Sequence, residues 1–129
     1  MISTLQAFII QAAKEKNEKE IAVSKRFDKK FKIRALDMEE WEDIQRRSTN
    51  PESKERVDGL GMLKRVAIEG CIDPNYKQEE FLNALEVKTP EAALKKTLKA
   101  GEIVKLGNAI LQYSGFGESV EKARQEAQD

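Results

Sequence analysis

Apolar residues recur along this chain with two different periods, and the change of period divides it. At the start, Ile2, Leu5, Ile9 and Ala12 fall at helical spacing with Phe8 beside them, which predicts a helix over 2–13 with one apolar stripe. Ser3 and Gln6 stand three positions apart in capping-box form, with Ser3 as the N-cap. A stripe of this kind predicts burial against a core. From Lys14 to Lys19 the charges alternate in sign around Asn17 with no apolar anchor, the pattern of a solvated linker.

The period then shortens to two. Ile21, Val23 and Phe27 are interleaved with polar residues, and Phe31, Ile33 and Ala35 alternate with Lys30, Lys32 and Arg34, which predicts an antiparallel hairpin over about 20–36. A two-residue loop at Asp28-Lys29 would throw the two apolar sets onto opposite faces. A three-residue loop over 28–30 sets Phe27 opposite Phe31 and Val23 opposite Ala35, so that is the expected register. It places Lys30 where positive φ favours Gly or Asn.

From Asp37 onward the pattern is helical. Asp37 followed by Glu40 is a second capping box, acidic residues fill the first turn, and Arg46 and Arg47 close the far end in accord with the helix dipole. Met38, Trp41 and Ile44 form a narrow stripe, and Ser48-Thr49-Asn50-Pro51 ends the helix. A next helix over 54–71 carries Val57, Leu60, Leu63, Val66, Ala67 and Cys71. Gly59 and Gly61 inside it imply an irregular first turn or a close backbone neighbour. Asp73-Pro74 opens a turn, a short helix covers 78–86 through Phe81, Leu82 and Leu85, and Thr89-Pro90 starts a helix over 90–99. Gly101 is read as the C′ glycine of that helix. A helix over 102–113 buries Ile103, Leu106, Ile110 and Leu111, Ser114-Gly115 ends it, and Phe116 folds back over its last turn. The tail over 117–129 is polar, with Val120 its only large apolar residue. The fold class is therefore mainly α (α+β): an N-terminal β-hairpin at about 20–36 followed by a compact multi-helix domain. Domain organisation is one domain over 1–129, with an arm and linker at 1–19, a helical core at 37–116 and a polar tail at 117–129.

Composition narrows the chemistry. Lys plus Arg and Asp plus Glu are both 23, so the formal charge is zero, against the basic excess of a dedicated nucleic-acid binder. Positive charge does gather on the hairpin, at Lys25, Arg26, Lys29, Lys30, Lys32 and Arg34. That reads as protection of an exposed strand edge, with a small nucleic-acid-binding regulator as the alternative function. With no histidine and a single cysteine, Ser-His and Cys-His pairs, His-ligated zinc and Cys-x-x-Cys cages are all excluded. The acidic cluster at Glu39, Glu40, Glu42 and Asp43 is explained by helix capping, Cys71 reads as a small buried hydrophobe, and Gly59-Leu60-Gly61 lacks the strand and third glycine of a dinucleotide fingerprint. No catalytic, cofactor or metal site is expected. No apolar run approaches the length of a membrane span, and a lone thiol without an export signal fits a reducing cytoplasm.

Several segments together resemble a known family. They are Ser3-Thr4-Leu5-Gln6-Ala7-Phe8, then Val23-Ser24-Lys25-Arg26-Phe27 and Phe31-Lys32-Ile33-Arg34-Ala35. Later come Thr89-Pro90-Glu91-Ala92-Ala93-Leu94-Lys95-Lys96, Gly101-Glu102-Ile103, Ile110-Leu111, Ser114-Gly115-Phe116 and Val120-Glu121-Lys122-Ala123. In this order and spacing they resemble the XkdN-like tail assembly chaperones of long-tailed phages and prophages of Gram-positive bacteria. Two departures stand out: the hairpin loop is read as short where relatives carry a longer polar insertion, and the stretch from Ser48 to Ile72 matches only loosely. The resemblance implies a non-enzymatic chaperone of the host cytoplasm. Its expected client is the helical tape measure protein, with the tail tube protein and further copies of the chain as secondary partners, and with no cofactor and no membrane. The contact surface for such a client is expected on whatever apolar stripe the core leaves exposed, and the candidates are Phe8 and Ile9 on the arm and Leu111 and Phe116 near the end of the last long helix, each with core packing as the alternative reading.

Overall fold

The computed structural model describes residues 3–14, 17–48 and 59–116. The expected turn at Pro51, the start of the 54–71 helix and the polar tail over 117–129 lie outside them. Six helices and three short strands are present among the described residues, which bears out the mainly α (α+β) class: α1 (Thr4–Lys14), β1 (Lys19–Ile21), β2 (Phe31–Ile33), α2 (Met38–Ser48), α3 (Gly59–Gly70), β3 (Cys71–Asp73), α4 (Glu79–Ala84), α5 (Pro90–Thr97) and α6 (Ala100–Tyr113).

Capping residues set most of these boundaries as expected. At α1, Ser3 Oγ accepts from the Gln6 amide at 3.1 Å while Gln6 Oε1 accepts from the Ser3 amide at 3.0 Å. Asp37 and Glu40 make the same reciprocal pair ahead of α2, at 2.8 and 3.1 Å. Thr89 Oγ1 accepts from the Ala92 amide at 3.1 Å, with Pro90 in the first turn of α5. α6 ends in a Schellman motif. The Phe116 amide reaches back to Leu111 O, the Gly115 amide to Gln112 O, and Gly115 takes φ +98°, which glycine adopts without strain. The boundary between α5 and α6 departs from expectation. α5 stops at Leu98 in extended backbone, and Ala100 and Gly101 already belong to α6, whose first turn is closed by Glu102 accepting from the Lys99 amide at 2.8 Å. Gly101 is thus an N-terminal residue of α6 and not a C′ glycine, because the Lys99–Glu102 capping pair starts the helix earlier.

The hairpin forms, but in a different register. Lys19 pairs with Ile33, Glu20 with Lys32 and Ile21 with Phe31, so the loop runs over 22–30 and the three-residue loop is corrected to nine residues. Three contacts hold the longer loop. Val23 is buried in the core, Phe27 tilts against Phe31 with ring centroids 5.3 Å apart, and Arg26 is drawn across to Glu102 on α6. In the longer loop Val23 reaches the core and Arg26 reaches Glu102, contacts made from loop positions and not from a strand ladder. β3 begins at Cys71, where the pattern predicts the end of a helix. It pairs antiparallel with β2 through an irregularity between Lys32 and Ile33, completing a sheet of order β1-β2-β3.

The core lies between this sheet and the helices. Ile33, Ile44, Val66, Tyr76, Leu94, Leu106 and Ile110 are its largest fully buried side chains. α3 and α6 cross closely enough that glycine is required on each. A Cβ on Gly107 would meet Leu63 O at 3.0 Å, and one on Gly70 would meet Ile110 Cγ2 at 2.5 Å. Tyr76, in the turn after β3, is buried without any helical periodicity to announce it. Its hydroxyl pairs with Thr97 Oγ1 at 2.9 Å and its ring meets Phe81 edge-on. Burial outweighs the Thr97 hydrogen bond and the nearby Arg26 charge and pushes that hydroxyl's pKa up to about 12.

Candidate partner-binding arm

The feature left over once the core is built is α1. Every residue from Ser3 to Ala12 is exposed, including Leu5 at 68 %, Phe8 at 70 % and Ile9 at 55 %. The expectation that this stripe packs into the core is corrected: the core closes without it. Exposure of large apolar side chains in a contiguous stripe is a mark of an interaction surface, because scattered single residues are common but rows are not. The arm is also uncharged from Met1 to Ala13 in a chain that is 36 % charged.

The arm's tether is fixed on the body side. Asn17 bonds the backbone of Ala35 twice, through Nδ2 to the carbonyl at 3.1 Å and through Oδ1 from the amide at 2.6 Å. The Tyr113 hydroxyl donates to Glu18 O at 3.0 Å, and Lys19 lies over the Tyr113 ring. Asn17, Glu18 and Lys19 of the predicted linker are therefore held against the body.

The other two partner-binding candidates are placed differently. Leu111 is 4 % exposed inside the core, and Phe116 is half-buried against Trp41 with centroids 4.6 Å apart. The Schellman turn carries Phe116 back over α6, and the period of α6 carries Leu111 inward, so both serve packing. Phe8 and Ile9 remain on the surface.

The basic hairpin is partly neutralised by the body. Arg26 donates to both Glu102 oxygens, at 2.9 and 2.6 Å, and to Thr97 O at 2.7 Å; this fork, with the Lys99 amide, holds the Glu102 carboxyl well below the usual carboxylate range. Arg34 forks onto Glu40 with a 2.8 Å bond to Oε1 and a second, shorter bond to Oε2, which depresses the Glu40 carboxyl in the same way. Of the six cations noted in the sequence, these two are committed to carboxylates, while Lys25, Lys29 and Lys30 stay exposed.

A cleft of about 340 Å³ opens between α2, α3 and the start of α5, floored by Ile44 and Ile68. Two ion pairs lie within its lining, Arg47 with Asp43 at 3.1 Å and Lys77 with Glu69, while Arg65 donates to the buried Ser48 hydroxyl at 3.0 Å and Glu91 pairs with Lys64 and Lys95. Cys71, the first residue of β3, is buried, and desolvation, with Asp73 nearby, pushes its thiol pKa up to about 12, out of nucleophilic range. No cluster of three His, Cys, Asp or Glu side chains among the described residues is placed to hold a metal ion. No described helix is long and apolar enough to cross a membrane.

The geometry thus defines a class: a small, mainly helical α+β protein that presents a helix with an exposed apolar stripe at its surface. The family model described as phage XkdN-like tail assembly chaperone protein matches residues 5–128. Two proteins of Bacillus subtilis (strain 168) are similar over most of their length, the protein YqbN and the phage-like element PBSX protein XkdN. Each is 27 % identical over 128 residues, covering 89 % of this chain and 86 % of the relative. A crystal structure of the protein YqbN shares the fold with a TM-score of 0.64 at 21 % identity, covering 81 % of this chain and 91 % of that one. This chain belongs to the XkdN-like phage tail assembly chaperone family.

Proposed function

We propose that this chain keeps the tape measure protein soluble during tail morphogenesis, without catalysis, in the cytoplasm of the bacterial host, and is displaced as tail tube subunits assemble around that client. Family membership supplies the class of function. The observation that carries the finer reading is the exposed, uncharged stripe of α1, a surface suited to apolar segments of a helical client. A chaperone of this kind needs exchangeable apolar contacts and a charged exterior, and it needs no titrating group poised for chemistry.

Co-expression of this chain with the tape measure protein of the same gene cluster, followed by affinity capture and light scattering, tests the reading. The expected result is a soluble complex with several copies per client that persists as salt is raised, because apolar burial is weakly screened. Retention of nucleic acid in place of client, lost steeply with salt, would instead favour the exposed lysines of the hairpin loop and a nucleic-acid-binding role.

A further inference from the structure

The geometry points to α1 as a docking helix for one amphipathic helix of the client, laid along Leu5, Phe8, Ile9 and Ala12. This assignment rests on the chaperone reading above and names the chemistry of its partner. Those four positions follow the spacing i, i+3, i+4, i+7, which gathers them into a stripe about 100° wide, the seam width that one partner helix covers. Gln6 and Gln11 flank the stripe. Neither flank carries a charge, as expected of a surface that becomes the centre of an interface, where charged residues are depleted.

The size of the stripe decides between occupants. Three large side chains and Ala12 offer roughly 300–400 Å² of apolar surface at about 100 Å² for each large side chain. Two copies of the chain meeting arm to arm would bury about 700 Å² in total, below the ~1,200 Å² at which stable interfaces begin. A stable homodimer through α1 is thereby disfavoured, and the arm stays available in the free chaperone. Contact of the same size with a client helix belongs to the weak, exchangeable class, which is what a coat that must later be stripped by another protein requires. Repetition along a long helical client, with one chaperone per apolar segment, supplies coverage without tight binding at any one site.

The test uses the full chain and overlapping synthetic peptides spanning the tape measure protein, with binding read by fluorescence anisotropy and the chain's own mass read by light scattering. Wild type is expected to be monomeric and to bind a subset of peptides with micromolar Kd, that subset carrying apolar residues at three- and four-residue spacing. Phe8→Asp and Ile9→Asp are expected to weaken binding at least ~30-fold each while leaving the circular dichroism and the unfolding midpoint of the body unchanged. Phe8→Leu should retain binding within about threefold, since it keeps the apolar seam. If wild type binds the peptides and both Asp variants bind equally well, the docking assignment is wrong while the chaperone reading stands. A wild-type chain that dimerises, and that Phe8→Asp converts to monomer, identifies a second copy as the occupant and overturns the assignment. If wild type binds neither the peptides nor the intact client, the chaperone reading fails and the assignment with it.

Discussion

The close crossing of α3 and α6 makes a prediction whose sign depends on which glycine is replaced. A Cβ on Gly70 would lie 2.5, 2.8 and 3.0 Å from Cγ2, Cδ1 and Cγ1 of Ile110. Ile110 is fully buried, so its side chain cannot swing aside without disturbing its neighbours. Overpacking of a core costs about 1–3 kcal/mol, and three simultaneous overlaps place this site near the top of that range. Replacing glycine in a helix returns up to about 1 kcal/mol through the unfolded state. Gly70→Ala is therefore expected to lose about 2 kcal/mol, lowering Tm by roughly 6–10 °C for a chain of this length. Gly101→Ala meets nothing within 4 Å in the first turn of α6 and should gain about 0.5–1 kcal/mol. Urea unfolding followed through Trp41, the only tryptophan, which packs tilted against Phe116, measures both. The mechanism is isolated by a double-mutant cycle with Ile110→Ala, which removes all three clashing atoms. The methyl group introduced by Gly70→Ala then partly fills the cavity left behind, so the double variant should be at least about 1 kcal/mol more stable than the sum of the single losses. A Gly70→Ala variant as stable as wild type, or an additive cycle, would refute the tight α3–α6 packing.

Other consequences concern charge, the thiol and a helix cap. Glu40 is held below its ordinary pKa by Arg34 and the Asp37 amide, so the folded state binds fewer protons than the unfolded one. Its contribution is complete above the unfolded value of about 4.3 and is lost as pH falls through the lower folded value. The urea midpoint should accordingly be level near neutrality and drop below about pH 4.3, with Glu40→Gln lowering the neutral midpoint and flattening the acid limb; a midpoint that rises on acidification would contradict this. Cys71 should resist iodoacetamide at mildly alkaline pH until urea unfolds the chain, and rapid labelling of the native protein would show that the core does not bury it. Thr89→Ala should cost about 1 kcal/mol by leaving the Ala92 amide without its cap, and an unchanged midpoint would remove Thr89 from the account of α5.

How far the fold could be read in advance follows from how local each cause is. Caps at Ser3, Asp37 and Thr89, the Gly115 turn and the apolar periods of α3 and α6 are decided within a few residues, and each appears where the pattern put it. The hairpin register failed because its determinant is distant. Arg26 pairs with Glu102, which lies 76 residues away, and no alternation pattern encodes that attraction. β3 failed for a similar reason, since Cys71, Ile72 and Asp73 become a strand only by lying against β2. Tyr76 sits in a turn and is buried by its contacts with Thr97 and Phe81, again a long-range effect. For the partner surface, Phe8 and Ile9 were legible as apolar positions, but their exposure was not, because a stripe meant for a partner has the same period as one meant for the core. Leu111 shows the converse: it lies on an apolar face that the core consumes. The absence of charge from Met1 to Ala13 is the signal that could have separated the arm from the amphipathic core helices, all of which carry charge on their outer faces.

The central claim is that this chain keeps the tape measure protein in solution, and the most direct measurement is the client's soluble fraction. Tape measure protein is expressed alone, with this chain, and with the Phe8→Asp chain, and each lysate is divided by centrifugation. The account predicts that client expressed alone is found in the pellet, that it moves to the supernatant in proportion to the amount of wild-type chain, and that it stays in the pellet with the variant although the variant itself is folded and soluble. Client that remains insoluble at every dose of wild-type chain, or that is equally soluble without it, would contradict the claim.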